Sequence, residues 1–242
     1  MDTVLFIIHI VGIISFSAAG AMVAIDKETD FFGVIFLSVI TCFGGGMIRD
    51  IIAGQSIGRE LPVFFTEMNL EIIVCICTAS LVFFLAAMFK HHYVKEEAKV
   101  DQINNILDAL GIGVFSAAGT GAYVCHGFFV AIVLGMISSI GGSITRDIIL
   151  RDIPVILRKR IYALATLAGS AVYFVVSQYL MTGQESADVV ATVCCVVVIF
   201  AIRMCATVFK WNMPKAIDFG KLRAEQGAGD AEKGRLEEKT NV

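Results

Sequence analysis

The chain has 242 residues, of which 57% are hydrophobic and 17% charged, with a formal net charge of −3. Soluble domains run at about 45–50% apolar and about 25% charged, so this composition, with a mean hydropathy of +0.80, points to a membrane protein. The acidic balance gives no basic footprint for nucleic acid.

A transmembrane helix needs roughly 20 mostly apolar residues. Seven stretches qualify: 3–25, 31–53, 69–89, 105–125, 127–149, 160–181 and 187–209. Polar or turn-like segments separate them, among them "DKETD", "QSIGRELP" and "KHHYVKEEAKVDQ". The first stretch ends in small residues, as a signal peptide does, but "MDTV" lacks a basic start and the apolar run is too long. After Trp211 the chain turns charged and nearly free of large apolar residues, which predicts a disordered tail.

Two segments recur. "GIISFSAAGA" (12–21) returns as "GIGVFSAAGT" (111–120), and "FGGGMIRDII" (43–52) returns as "IGGSITRDII" (140–149). A proline follows each copy, Pro62 and Pro154. The expected organisation is an all-α membrane protein with two three-helix units, 1–90 and 105–182. A cytoplasmic loop, 91–104, joins them. A seventh helix, 183–210, and a disordered cytoplasmic tail, 211–242, follow. Three spans per unit turn the second copy upside down in the bilayer, an inverted repeat.

Lys and Arg favour cytoplasmic loops. With the N-terminus outside and the C-terminus in the cytoplasm, all but Arg49 and Arg59 of the 19 Lys and Arg fall on the inner side. The chain is therefore expected to be an integral membrane protein in that orientation.

Gly44, Gly45 and Gly46 in the second span and Gly141, Gly142 and Ser143 in the fifth admit two readings. Glycine lets a helix bend or unwind, which frees carbonyl oxygens where the backbone borders a water-filled path. Small residues also let neighbouring helices pack closely. The kinked reading makes these six residues part of an ion path.

Arg49–Asp50 and Arg146–Asp147 follow the glycines. Adjacent helical residues point about 100° apart, so each charge is expected to find a partner elsewhere. Arg151 stands four residues beyond Asp147, and Asp50 needs another helix or solvent. In the expected topology Arg49 sits toward the outside and Arg146 toward the inside, so the pairs either set the field at two mouths or snorkel to the interface. His9 and Asp108 occupy matching places in spans one and four. Glu71 is expected at the interface, and Arg203 is expected to snorkel.

Lys90, Lys95 and Lys99, with Arg158, Lys159 and Arg160, form basic patches that enforce orientation and are candidates for anionic headgroups. The seven cysteines include no C-x-x-C pair and read as free, small hydrophobes. His91–His92 has no third ligand at metal spacing, so no structural metal is expected. The P-loop, G-x-G-x-x-G, G-x-S-x-G and H-E-x-x-H patterns do not occur. No enzyme chemistry and no cofactor are expected.

The doubled "GGGMIRDIIAG" and "GGSITRD", set in a 3+3+1 arrangement of spans, resemble the prokaryotic branch of the trimeric intracellular cation (TRIC) channel family. That branch overlaps the UPF0126 membrane proteins described as glycine transporters. The resemblance covers about residues 3–209. It implies a homotrimer with one pore per subunit, lined largely by kinked second and fifth helices and passing monovalent cations such as K⁺ or Na⁺. Two other readings stay open. One is a secondary transporter for glycine or another small amino acid, with Arg49 or Arg146 holding a carboxylate. The other is a structural scaffold.

Overall fold

The computed structural model describes residues 3–58, 60–66, 69–158, 161–180 and 186–209. The tail 211–242 and Arg59, Lys159 and Arg160 lie outside the described residues, as does the side chain of Arg158. Every regular element among the described residues is helical. In chain order these are α1 (Thr3–Asp26), α2 (Phe31–Ala53), α3 (Val63–Thr66), α4 (Asn69–Met88) and α5 (Lys90–Lys95). There follow α6 (Glu97–Ala122), α7 (Phe128–Ile149), α8 (Val155–Arg158), α9 (Ile161–Val175) and α10 (Ala187–Val208). One π turn, Val176–Leu180, continues α9.

Local chemistry sets several of these boundaries. The Asp30 carboxylate accepts the Gly33 N–H at 2.7 Å and so caps the start of α2. The Thr29 hydroxyl donates to the Ala24 carbonyl at 3.0 Å at the end of α1. The turn between α6 and α7 passes through Gly127 at φ 96, a backbone angle that residues with a side chain resist.

Five helices among the described residues are long and apolar enough to cross a membrane: Thr3–Asp26, Phe31–Ile57, Asn69–Met88, Phe128–Ile149 and Ala187–Val208. The chain is a membrane protein by this measure. The expected fourth and sixth spans fall on α6 and α9. α6 begins at Glu97 rather than 105 and carries Asp101, Asn104, Asn105 and Asp108, which lower its hydropathy. Residues on both flanks of α9, 159–160 and 181–185, lie outside the description. The expected loop 91–104 is itself helical, shared between α5 and the start of α6.

α4 buries only Cys75 and Ala79 and exposes Ile73, Leu81, Phe84, Leu85 and Met88. A helix apolar all round with one side free suits a hydrocarbon solvent. The core lies instead among α1, α2, α6, α7, α9 and α10, around Ile13, Phe16, Phe43, Phe115, Ile140 and Ile199.

α2 and α7 form the axis of the bundle, and both run as helix without interruption. Neither helix unwinds at its glycines, and of the two readings close packing is the one seen here. A Cβ on Gly45 would run into the Ser138 carbonyl, and one on Gly142 into the Thr41 carbonyl. A Cβ on Gly44 would lie 3.2 Å from the Gly142 Cα, and one on Gly141 2.9 Å from the Gly45 Cα. Thr41 thus faces Gly142 while Gly45 faces Ser138, so the helices run antiparallel. Exchanging each residue for its counterpart in the other copy leaves this set of contacts unchanged. Glycine at these places lets two backbones touch and gain dispersion contact over a long stretch.

Polar links tie the connecting segments together at one end. The Lys27 ammonium reaches Asp152 at 2.9 Å, joining the α1–α2 and α7–α8 connections. The Tyr93 hydroxyl donates to Asp26 at 3.1 Å and joins α5 to the end of α1. Burial and the adjacent Asp26 carboxylate push the Tyr93 phenol above its usual range, so it remains a donor.

Candidate functional site

The doubled motif builds two matching sites. At the end of α2, the Arg49 guanidinium donates to Asp50 Oδ1 from Nε at 2.8 Å and from Nη2 at 2.6 Å. Its Nη1 reaches the Ser138 hydroxyl on α7 at 3.2 Å. At the end of α7, Arg146 Nε and Nη2 donate to Asp147 Oδ1 at 2.9 and 2.7 Å. All four residues are buried, Arg146 to 3% exposure. This corrects the expectation that neighbours on a helix cannot pair: the long arginine arm folds back across the gap. Asp147 turns to Arg146 rather than to Arg151, which is exposed.

The second oxygen of each aspartate does a different job. Asp50 Oδ2 accepts the Val63 N–H at 3.1 Å, and Asp147 Oδ2 accepts the Val155 N–H at 3.0 Å. Each valine follows a proline, Pro62 or Pro154, and opens a short helix, α3 or α8. Proline has no N–H, so the valine amide is the first donor of the turn, and helix starts leave such donors unpaired. The carboxylate satisfies that donor and neutralises its arginine. The prolines after each motif were the signal for this bond in the sequence.

Two cavities flank the glycine contact, one at each of these ends. The first, about 160 Å³, is lined by His9, Gly46, Arg49, Asp50 and Ser138 together with Phe115 and other apolar side chains. The second, about 190 Å³, is lined by Asp101, Asn104, Asp108, Arg146 and Arg203 with Tyr162 and neighbours. Each holds one arginine of the motif and one member of the matched pair His9 and Asp108. Between them Gly44, Gly45, Gly141 and Gly142 bring the backbones together. The third positions of the two triplets differ from the rest. Beside Gly46 a Cβ would meet only Arg49 Nη2, at 3.9 Å. The buried Ser143 hydroxyl has no hydrogen-bond partner among the described residues.

Arg203 does not snorkel. It is 4% exposed, donates to Asp108 Oδ2 at 2.8 Å and to Asn105 Oδ1 at 2.9 Å, and stacks on Tyr162 with Cζ 3.7 Å from the ring centroid. No spacing in the sequence announces this network, because its members lie on α6, α9 and α10, far apart in the chain. The basic residues proposed for lipid sit elsewhere. Lys90, Lys95 and Lys99 are exposed on α5 and α6, Lys99 beside Glu96 at 2.8 Å. Among the described residues, no group of three or more His, Cys, Asp or Glu is placed to hold a metal ion.

These features agree with comparison to known proteins. A family model described as Glycine transporter matches residues 6–87 and 105–178, the stretches that carry the two copies. The UPF0126 inner membrane protein YadS of Escherichia coli K12 is 31% identical over 209 residues, covering 85% of this chain and 92% of YadS. A prokaryotic TRIC channel crystallised in 0.5 M KCl superposes with a TM-score of 0.71 at 27% identity, over 88% of this chain and 100% of that one. The TRIC orthologue from Rhodobacter sphaeroides gives 0.71 at 29% identity, over 87% and 100%. The chain belongs to the UPF0126 family of membrane proteins, matches the Glycine transporter family model, and has the fold of the TRIC channels.

Proposed function

We propose that this protein is a passive channel for monovalent cations, K⁺ or Na⁺, working as a homotrimer with a separate path through each subunit. The observation that carries this reading is the pair of cavities at opposite ends of the α2–α7 contact, each lined in part by charged side chains and holding one Arg–Asp pair or its arginine. A bare guanidinium beside a cation path would repel the cargo. With Asp50 and Asp147 bound to their arginines, each mouth adds little net charge while keeping polar surface for a hydrated ion. The glycine contact is then the closed point. Opening requires α2 and α7 to part, which uncovers the carbonyls of Thr41 and Ser138 now sealed by glycine. Such oxygens suit K⁺ or Na⁺.

The arrangement in the bilayer is seven spans as an inverted 3+3 repeat plus one, N-terminus outside. The antiparallel, mutually exchangeable contacts of α2 and α7 support it. Exposed Lys90, Lys95 and Lys99 then face the cytoplasm and the anionic headgroups. The trimer rests on likeness to a structure described as a trimeric channel.

The second reading, a glycine transporter, is favoured by the name of the family model. It would use Arg49 or Arg146 to hold a carboxylate, and in this conformation Asp50 and Asp147 already occupy both. Single-channel recording in KCl beside labelled glycine uptake by the same reconstituted protein separates the two. Discrete current steps far above carrier turnover support the channel. Saturable glycine uptake without steps overturns it.

A further inference from the structure

The two copies differ at the matched positions His9 and Asp108, and that difference has a functional reading. Asp108 in the second copy is locked to Arg203 at 2.8 Å. Its counterpart His9 has a buried Nδ1 with no hydrogen-bond partner among the described residues, and its ring meets Phe115 edge-on, with centroids 5.5 Å apart.

His9 also stands between two cavities. It lines the Arg49–Asp50 cavity and a second one of about 250 Å³ that reaches Tyr173, Asp188 and Thr192. Ala118 and Ala122 complete the shared wall. In the second cavity the Tyr173 hydroxyl donates to the exposed Asp188 carboxylate at 3.2 Å.

We propose that His9 is a proton-binding site that sets the charge of the first cavity, supplied with protons through the cavity at Tyr173 and Asp188. This inference rests on the channel reading. Hydronium, carried in through the cavity past the Asp188 carboxylate, gives its proton to the ring nitrogen that carries the lone pair. Water is released, an imidazolium forms, and no electron transfer is involved.

The groups facing His9 define the outcome. α2 brings Cys42 and the mutually neutralised Arg49 and Asp50. α4 brings Glu71, whose field reaches the ring together with that of Arg49. α6 presents Phe115, Ala118 and Ala122, and Tyr123 just beyond it lies against the Arg49 guanidinium. α7 contributes Ser138, α9 Tyr173 and α10 Asp188. Glu71 is not part of the lining of the Arg49–Asp50 cavity, so with neutral His9 that lining is close to zero net charge. A proton makes it positive, and in a low-dielectric wall one charge at this range repels an entering cation strongly.

The test uses the full-length protein in a planar bilayer, with the pH on the His9 side stepped from about 8 to about 5, the range in which histidine titrates. The wild-type K⁺ current is expected to fall roughly tenfold. His9→Gln should give a ratio of currents at the two pH values near one, and His9→Lys should conduct poorly at both. A flat wild-type response overturns the proposal. So does a His9→Gln variant that keeps the fall, which would assign it to Glu71 or Asp188.

A second measurement stands apart from current. The chain has four histidines, so replacing His91, His92 and His126 with Gln leaves His9 as the one imidazole for nitrogen-15 NMR. Its signals should titrate in bilayers over the same range, and Asp188→Asn should alter that titration. An imidazole that does not titrate overturns the proposal even if no current is found at any pH. A titrating imidazole in a protein that never conducts shows instead that the channel reading has failed.

Discussion

Phe16 and Phe115 stack on one another, ring centroids 5.1 Å apart and planes 8° from parallel, and each is the "F" of its own copy of the FSAAG sequence. A residue packed on its own counterpart is the contact expected beside a two-fold axis, which the proposed inverted repeat would supply. The glycine contact of α2 and α7 obeys the same exchange. Both contacts are kept when each residue is exchanged for its counterpart, as the proposed inverted repeat requires.

The stack is expected to be costly to remove. Phe16 is 1% and Phe115 5% exposed, and truncating a buried phenylalanine to alanine costs about 3–5 kcal/mol. Phe16→Ala and Phe115→Ala should lose similar amounts because the sites are equivalent. Phe16→Leu should lose less than half as much. Reversible unfolding in mixed micelles measures all three.

The glycines separate by position. Gly45→Ala and Gly142→Ala press a methyl into a carbonyl of the facing helix, so both should destabilise by at least about 2 kcal/mol, the range of overpacking. Gly46→Ala meets only the end of a flexible arginine at 3.9 Å and should be near neutral. Thermal melting followed by fluorescence-detected size exclusion ranks the three. Equal loss at all three positions would contradict control of the run by contact, since helix propensity alone favours alanine.

How much of this was legible in the sequence depended on range along the chain. The internal duplication was plain, because Phe16, Gly45 and Arg49 recur in order as Phe115, Gly142 and Arg146. Apolar length located the helices and the polar ends of α2 and α7. Whether Gly45 bends its own helix or admits another was not legible, since Ser138 lies on a helix distant in the chain. The pairing of Arg49 with Asp50 was missed for a geometric reason. The angular separation of neighbours describes Cβ directions, while the long, flexible arginine arm is able to return across it. The Arg203–Asp108–Asn105 network joins its side chains through packing alone, without a sequence pattern to mark it.

The Arg–Asp pairs should behave as coupled units. Asp50→Asn leaves Arg49 buried without its counter-charge and should cost about 3–5 kcal/mol. Arg49→Gln combined with Asp50→Asn should recover much of the loss, because the introduced side-chain amide oxygen can still accept the Val63 N–H. The same cycle at Arg146 and Asp147 should give a coupling of the same sign. Additive losses in a double-mutant cycle would contradict the direct pairing.

Arg203 tests whether geometry or charge holds α10 to α6. Lysine keeps the charge but lacks the planar fork that reaches Asp108 and Asn105 together and stacks on Tyr162. Arg203→Lys should therefore lose about 2 kcal/mol or more, and Arg203→Gln with Asp108→Asn should be the more stable of the two variants. Unfolding midpoints of the purified proteins decide the order.

Cations are proposed to cross each subunit between α2 and α7, through the two cavities. Anomalous scattering from crystals grown in rubidium chloride tests this most directly, since rubidium stands in for potassium and is located without a functional assay. The expected result is rubidium in both cavities of every subunit, near Asp50 and Ser138 in one and near Asp108 and Asn104 in the other. Rubidium confined to a symmetry axis between subunits, with both cavities empty of it, would contradict a path through the protomer.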